Sequence, residues 1–262
     1  MKTLRITTIL FLASAFSLPA QAQEAATATL PKAAEIVAKH VEAVGGREKL
    51  EAMKSSVSEG TFEMPAAGLK GDFTIKLMSG KFAFKMDLPG VGPIVRGTDG
   101  ENAWEVSAVA GGARLLKGIE KKQLIQQAQL AAELKMEKKF DIEVVGIEKV
   151  KELECYKLKC VPKKGSDEEK EKLTEFKFID TKDHLLRKQT QKVASPLGEI
   201  SIDSFMDDYR DLEGIKVPHE VSQSMMGQKQ VMKIKKTKIN GDIDKDAFAA
   251  PEDVQKLLKK DE

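Results

Sequence analysis

The sequence predicts a mainly β protein of the α+β class, with a single domain built on one strongly curved antiparallel sheet. From residue 55 onward, apolar and polar residues alternate with a period of two over about ten or eleven segments, mostly separated by turn residues. Helical spacing is confined to the N-terminus and one mid-chain segment, and no linker divides the chain. A sheet of this size curls, so its concave face must be filled by its own side chains, a helix or a ligand.

The N-terminus has the pattern of a secretory signal peptide. Residues 1–22 combine basic residues at Lys2 and Arg5, an apolar run over 6–18 and small residues up to Ala22, where we expect cleavage. The apolar run is shorter than the ~20 residues that a bilayer requires, so the segment is not expected to be a membrane anchor. Lys2 and Arg5 account for the whole formal charge of +2, so the mature chain is neutral.

The mature chain is predicted to begin with helices. Residues 23–31 read as a short Ala/Thr tether, and the stretch AAEIVAKHVEAV has helical spacing that ends at Gly45-Gly46. A second, short helix follows. The single domain is predicted to cover residues 32–256, and the Lys-rich residues 257–262 to form a mobile charged tail.

The early strands each place large apolar residues on one face. Phe62 lies in SVSEGTFEM, Phe73 in GDFTIKLM, and Phe82, Phe84 and Met86 in KFAFKMDL. A further hairpin, TDGENAWEV, carries the only tryptophan, Trp104, which either packs in the core or lines a ligand cavity. Methionines are frequent and adapt to varied apolar partners, which suits acyl chains, although composition alone favours ordinary core residues.

One helix interrupts the strands. Residues 121–136 contain no Gly or Pro and present a modestly apolar face, formed by Leu124, Ile125, Ala128, Ala131, Ala132 and Leu134. Such a helix must lie against the sheet or cover its concave side. Between two later strands, the segment PKKGSDEEKE is predicted to be a solvated loop at a hairpin tip.

The sequence contains no recognisable catalytic, metal or phosphate-binding motif. It lacks G-x-S-x-G, H-E-x-x-H, C-x-x-C and the P-loop pattern, and its three histidines have no ligand spacing. We therefore expect neither an enzyme nor a cofactor. A neutral chain whose Lys-rich strand lacks interleaved aromatic residues is not expected to bind nucleic acid. Cys155 and Cys160 read as buried in one strand, with an intermolecular or bulge-assisted disulfide left open.

Four motifs, taken in order, resemble the LolA-like superfamily of outer-membrane lipoprotein-sorting proteins. They are VEAVGGREKLEAMKSSVSEGTF, TDGENAW, DYRDLEGIKVPHEV and NGDIDKDAFAAPED, and together they span most of the mature chain. The resemblance implies an unclosed antiparallel β-barrel with helices as a lid, which holds a lipid-modified protein or another amphiphile in an apolar cavity. It also implies a periplasmic location.

The resulting hypothesis is an exported, soluble carrier or chaperone that binds acyl chains of lipids or lipoproteins, with an envelope protein as possible donor or acceptor. The predicted cavity residues are Phe62, Phe73, Phe82, Phe84, Met86, Trp104, Phe176 and Phe178. The predicted lid residues are Leu124, Ile125, Ala128 and Leu134. The alternative is a non-enzymatic envelope interaction module whose cavity is filled by its own side chains and which contacts a partner through an edge strand or the lid.

Overall fold

Thirteen strands form one antiparallel sheet in the part of the chain that the structure, a computed structural model, describes: residues 30–195, 198–225 and 227–261. The predicted signal peptide 1–22, and all of the tether 23–31 except its last two residues, lie outside the described residues. The strands are β1 Ser55–Met64, β2 Leu69–Met78, β3 Lys81–Leu88, β4 Gly92–Thr98, β5 Ala103–Ser107, β6 Gly112–Leu115, β7 Phe140–Val150, β8 Leu153–Pro162, β9 Glu175–Asp180, β10 Leu186–Ser195, β11 Gly198–Leu212, β12 Ile215–Met225 and β13 Gln228–Ile239.

The strand order explains why the sheet is open. It runs β6-β5-β4-β3-β2-β1-β13-β12-β11-β10-β9-β8-β7, so two meanders meet where the first strand pairs with the last. The outermost strands, β6 and β7, are not paired with each other, and the sheet is an unclosed half-barrel, as the sequence predicts. The predicted number of strands was too low. Strand β6 spans only four residues after a Gly-Gly turn, too few to show an alternation period.

Six helices accompany the sheet in the described residues. They are α1 Ala33–Val44, α2 Arg47–Glu51, α3 Gly118–Gln127, α4 Met136–Lys139, α5 Asp167–Leu173 and α6 Glu252–Asp261, with 3₁₀ turns at Pro65–Ala67, Ala132–Lys135 and Lys245–Phe248. Within the described ranges, no helix is long and apolar enough to span a bilayer.

Helix α1 lies on one face of the sheet, which we call the inner face. Its buried residues divide between two clusters: Ile36 and Val37 pack with Leu158 and Ile179, whereas Val41 and Val44 pack around Ile215. The helix ends at Gly45, as predicted. Gly45 has φ +142°, and a Cβ there would lie 2.8 Å from the carbonyl oxygen of Gly214, so this close approach requires glycine.

The mid-chain helix is shorter than predicted. The sequence predicts one helix over 121–136, but α3 ends at Gln127, and Ala131 takes a left-handed conformation with φ 48°. The N–H of Gly80, in the turn between β2 and β3, donates to the carbonyl of Ala128 at 3.1 Å. Contacts with the sheet therefore satisfy the helix end and override a helical propensity that only a weak apolar face supports.

Two charged segments are helical where the sequence predicts a loop and a tail. Within PKKGSDEEKE, Ser166 and Glu169 form a reciprocal capping box that starts α5. Residues 257–261 continue α6 rather than forming a mobile tail. Val254, Leu257 and Leu258 recur at helical spacing, Val254 is fully buried, and α6 packs beside β6.

Candidate functional site

The inner face of strands β1 to β4 and β13 carries an apolar strip. Its members are Phe62, Met64, Phe73, Ile75, Phe84, Met86, Leu88, Ile94, Met232 and Ile234. The rings of Phe73 and Phe84 stack with centroids 6.4 Å apart. Phe82 lies beside the strip and packs with Leu124 of α3. The structure thus brings together five of the predicted cavity residues: Phe62, Phe73, Phe82, Phe84 and Met86.

Trp104 does not join them, because it lies on the outer face of the sheet. It pairs in register with Gly97, and a Cβ on Gly97 would lie 2.8 Å from the indole ring. The neighbours of Trp104 in β5, Ala103 and Glu105, point to the inner face instead. The indole is only 2% exposed, and the C-terminal segment packs nearby, since α6 contacts β6 and the 3₁₀ turn Lys245–Phe248 contacts β3.

Phe176 and Phe178 also lie on the outer face. They cluster there with Phe205, and the ammonium of Lys157 lies 5.1 Å from the Phe176 ring centroid and 5.7 Å from that of Phe178. The alternation of β9 places Lys177 and Ile179 on the inner face. The prediction was wrong here because it placed both Phe residues of EFKFID in the cavity, whereas the alternation of β9 turns them to the outer face.

A cavity of about 310 Å³ lies between the N-terminal helices, residues 129–133 and the inner face of β10 to β12; we call it the helix-side cavity. Its volume falls at the lower end of the ~300–1,000 Å³ typical of ligand sites. Most of its lining is apolar, including Val44, Leu50, Leu77, Leu130, Met206, Ile215 and Val217. It meets the apolar strip at Leu77, since Leu77, Ile75 and Phe73 alternate along the inner face of β2.

Two polar side chains at this cavity are engaged with backbone carbonyls. A ring nitrogen of His40, Nδ1, lies 2.8 Å from the carbonyl oxygen of His184, and burial lowers the pKa of His40 below its ordinary value. The hydroxyl of Tyr209 donates to the carbonyl of Leu186 at 2.7 Å, and burial raises its pKa. Because most of the lining is apolar and these two polar atoms already have partners, the cavity offers a ligand mainly apolar contact.

A second, polar pocket of about 190 Å³ lies on the inner face under α3. Lys177 lies 3.1 Å from a Glu175 carboxylate oxygen and donates to the Gln189 side-chain oxygen at 3.1 Å. The Gln189 amide in turn donates to Glu175 at 2.7 Å. Burial alone would lower the pKa of Lys177, but Glu175, with other charges nearby, holds that pKa above its ordinary value.

Helix α3 bridges the open side of the half-barrel. The guanidinium of Arg114 on β6 donates to both carboxylate oxygens of Glu120 at 2.9 Å and to Glu105 at 2.8 Å. The Gln123 amide donates to the carbonyl of Lys192 on β10 at 2.6 Å, so α3 contacts both halves of the sheet. This position is that of a lid.

The predicted lid residues divide between two places. Leu124 and Ala128 are buried under α3, and Ile125 on the same helix is half-buried. Leu134 lies beyond the helix break and packs instead with the cluster that holds α1 and α2. The residues that sequence reasoning missed are those of the helix-side cavity; of these, only the frequency of methionine, Met206 included, offered a signal.

The two cysteines are buried free thiols on opposite faces of β8. Burial raises the pKa of Cys155 to about 11 and that of Cys160 to about 12, so both stay protonated at neutral pH. Among the described residues, no group of three or more His, Cys, Asp or Glu side chains is placed to hold a metal ion.

The comparisons with known proteins identify the fold. No family model matches the sequence, and no curated protein matches it significantly. Among solved structures, a DUF1329 family protein from Desulfovibrio piger is similar with a TM-score of 0.55 and 13% identity, over 82% of this chain and 96% of that one.

Two further structures give the same result. A LolA superfamily protein from Nitrosomonas europaea has a TM-score of 0.54 and 12% identity, over 84% of this chain and 99% of its own. A domain named for outer membrane lipoprotein sorting, from Vibrio parahaemolyticus, has a TM-score of 0.53 and 11% identity, over 86% of this chain and 97% of its own. The chain has the LolA-like fold that its sequence motifs resemble.

Proposed function

We propose that this protein is an exported carrier or chaperone that reversibly binds acyl chains of lipids or lipoproteins. The observation that carries the proposal is the helix-side cavity, whose apolar lining continues at Leu77 into the apolar strip. Together they give a continuous row of apolar side chains along the inner face of β2, from the N-terminal helices toward Phe73, which we call the apolar path. A linear hydrocarbon chain matches such a path in shape and chemistry.

The energetics favour reversible binding. Each methylene that leaves water contributes about 0.8 kcal/mol, and part of that gain is offset by the lost freedom of the chain. Methionines in the path, such as Met206 and Met232, adapt to chains of different length and branching. An open sheet with a lid attached by hydrogen bonds and ion pairs allows a chain to enter and leave without breaking the fold.

Two further observations support the proposal. The pattern of residues 1–22 predicts export to the periplasm, where a carrier of acyl chains would shield them from water between membranes. The fold is shared with a domain named for outer membrane lipoprotein sorting. The proposal includes no catalytic step and no cofactor, and the partners expected are the acyl chains and an envelope protein that donates or accepts them.

The test uses two opposite changes at one cavity residue. Leu77→Trp adds bulk at the junction of cavity and strip and should reduce uptake of a fluorescent C16 fatty acid at least about tenfold, whereas Leu77→Ala removes bulk and should retain uptake. Lys76→Ala, on the outer face of the same strand, is the control. Equal uptake of the fatty acid by wild type and Leu77→Trp would show that the acyl chain does not bind at this junction.

A second candidate is a protein interaction module, and strand β7 favours it. Strand β7 is an edge of the sheet, and Val145 and Ile147 on it are 41% and 49% exposed. The core of the strip is also self-packed, since Phe62, Phe73, Met86 and Leu88 are buried without a ligand. Absence of fatty acid uptake in wild type, together with a partner lost on Val145→Lys, would favour this function.

A further inference from the structure

The helix-side cavity and the polar pocket are neighbours. Ala132, in the turn after the α3 break, lines both of them. Their side chains also interact electrostatically across this wall, because Glu133 beside the cavity attracts the ammonium of Lys177 in the pocket. An apolar cavity that adjoins a polar pocket is the arrangement that an amphiphile requires, with its chain in one and its headgroup in the other.

The charges in the pocket indicate the sign of the headgroup. Glu175 is already matched by Lys177 and by the Gln189 amide, so this network is locally neutral. Lys139, at the end of α4, also lines the pocket, and its ammonium has no hydrogen bond or ion pair with the residues that the structure describes. Lys139 therefore brings to the pocket an ammonium group that is not held in a direct ion pair.

The surroundings of Lys139 make an added anion favourable. Partial burial, and then repulsion from Lys135, lower the pKa of Lys139, and Glu175 only partly offsets this. The amide side chains of Gln126, Gln127 and Gln191 also line the pocket. Amide N–H groups and an ammonium donate hydrogen bonds that carboxylate and phosphate oxygens accept.

We propose that the polar pocket binds the anionic, oxygen-rich headgroup of the amphiphile, with Lys139 supplying the charge and the glutamine amides supplying further donors. The proposal rests on the carrier function above and adds to it a preference for the headgroup. Neutral amphiphiles with the same chain would bind through the helix-side cavity alone. The pocket thus selects among lipids that the apolar path does not distinguish.

The experiment compares two probes that differ only in headgroup charge: a fluorescent C16 fatty acid and its methyl ester. Wild type should bind the acid about tenfold more tightly than the ester, because one charge-assisted hydrogen bond contributes about that much to affinity. Lys139→Gln should lower the affinity for the acid to that for the ester and leave the ester unchanged. Lys138→Gln, an exposed neighbour, is the matched control and should behave as wild type.

The outcomes separate this proposal from the carrier function. Equal affinity of wild type for acid and ester, or an equal effect of Lys139→Gln on both, would overturn the headgroup site but leave the carrier function in place. Binding of neither probe would overturn the carrier function itself. Inorganic phosphate alone tests a free anion as the source: phosphate that binds in a Lys139-dependent manner without displacing the acid would also overturn the headgroup assignment.

Discussion

The substitution Glu120→Gln tests whether the ion pair between Arg114 and Glu120 helps to hold α3 in place as a lid. Glu120 lies in the first turn of α3 and accepts two hydrogen bonds from Arg114, each at 2.9 Å. The two side chains are only 25% and 23% exposed, so solvent screens the pair less than a surface pair. Removing the carboxylate charge leaves Arg114 bonded to Glu105, so the change loosens the helix without stranding a buried charge.

The size of the effect follows from this geometry. Hydrogen bonds to charged groups contribute about 1.5–3 kcal/mol when buried, and partial exposure together with the retained Glu105 bond reduces the loss to about 1–2 kcal/mol. That loss should raise the open population of α3 by about 5–30-fold. The free energy of global unfolding should change less, because the sheet does not depend on this contact.

Amide hydrogen exchange measures the effect directly. The hydrogen-bonded amides of α3, residues 121–127, should exchange about 5–30-fold faster in Glu120→Gln, while those of the sheet strands keep their wild-type rates. Dissociation of a bound fluorescent fatty acid should accelerate as well. Lys122→Ala removes the more exposed pair with Glu169 and serves as the control, with a smaller effect expected. Wild-type exchange in α3 of Glu120→Gln would refute the role of this pair.

Two further substitutions test the outer face and the cavity rim. Gly97→Ala places a Cβ 2.8 Å from the Trp104 ring and should lower the free energy of unfolding, measured in urea, by about 1–3 kcal/mol. Adding Trp104→Leu to the same chain should restore part of that stability. A Gly97→Ala variant as stable as wild type would contradict the outer-face packing. Burial lowers the pKa of His40, so the folded state binds fewer protons, and stability should fall as the pH drops below 6.5. His40→Gln should reduce this dependence; an unchanged pH profile would exclude His40 as its source.

Much of the fold could be predicted from alternation in the sequence. In β1, β2 and β3, apolar residues at every second position lie on the inner face, and the lysines of β2 and β3 lie on the outer face. The sequence therefore groups Phe62, Phe73 and Phe84 correctly on one face. The same rule failed for Trp104 and Phe178. Both rings are buried on the outer face, and a strand with large side chains on both faces does not indicate which of them is the inner face.

The helix-side cavity could not be read from the sequence for a different reason. Its walls come from α1, α2, the residues after α3 and strands β10 to β12, which are far apart in the chain. At the break after Gln127 that shapes it, the carbonyl of Ala128 accepts a hydrogen bond from the N–H of Gly80, a tertiary contact. The polar pocket is lined by α3, α4, β9 and β10, and polar residues such as Lys177 and Gln189 in alternating strands give no sequence signal that they meet in one pocket.

The most direct test of the central claim, that the inner face holds an acyl chain, is native mass spectrometry of the mature protein purified from the periplasm, followed by solvent extraction. We expect a heterogeneous added mass that extracts as acyl lipid from wild type and is absent from Leu77→Trp. A clean ligand-free mass in wild type, from protein that also fails to take up fluorescent fatty acid, would contradict the carrier function.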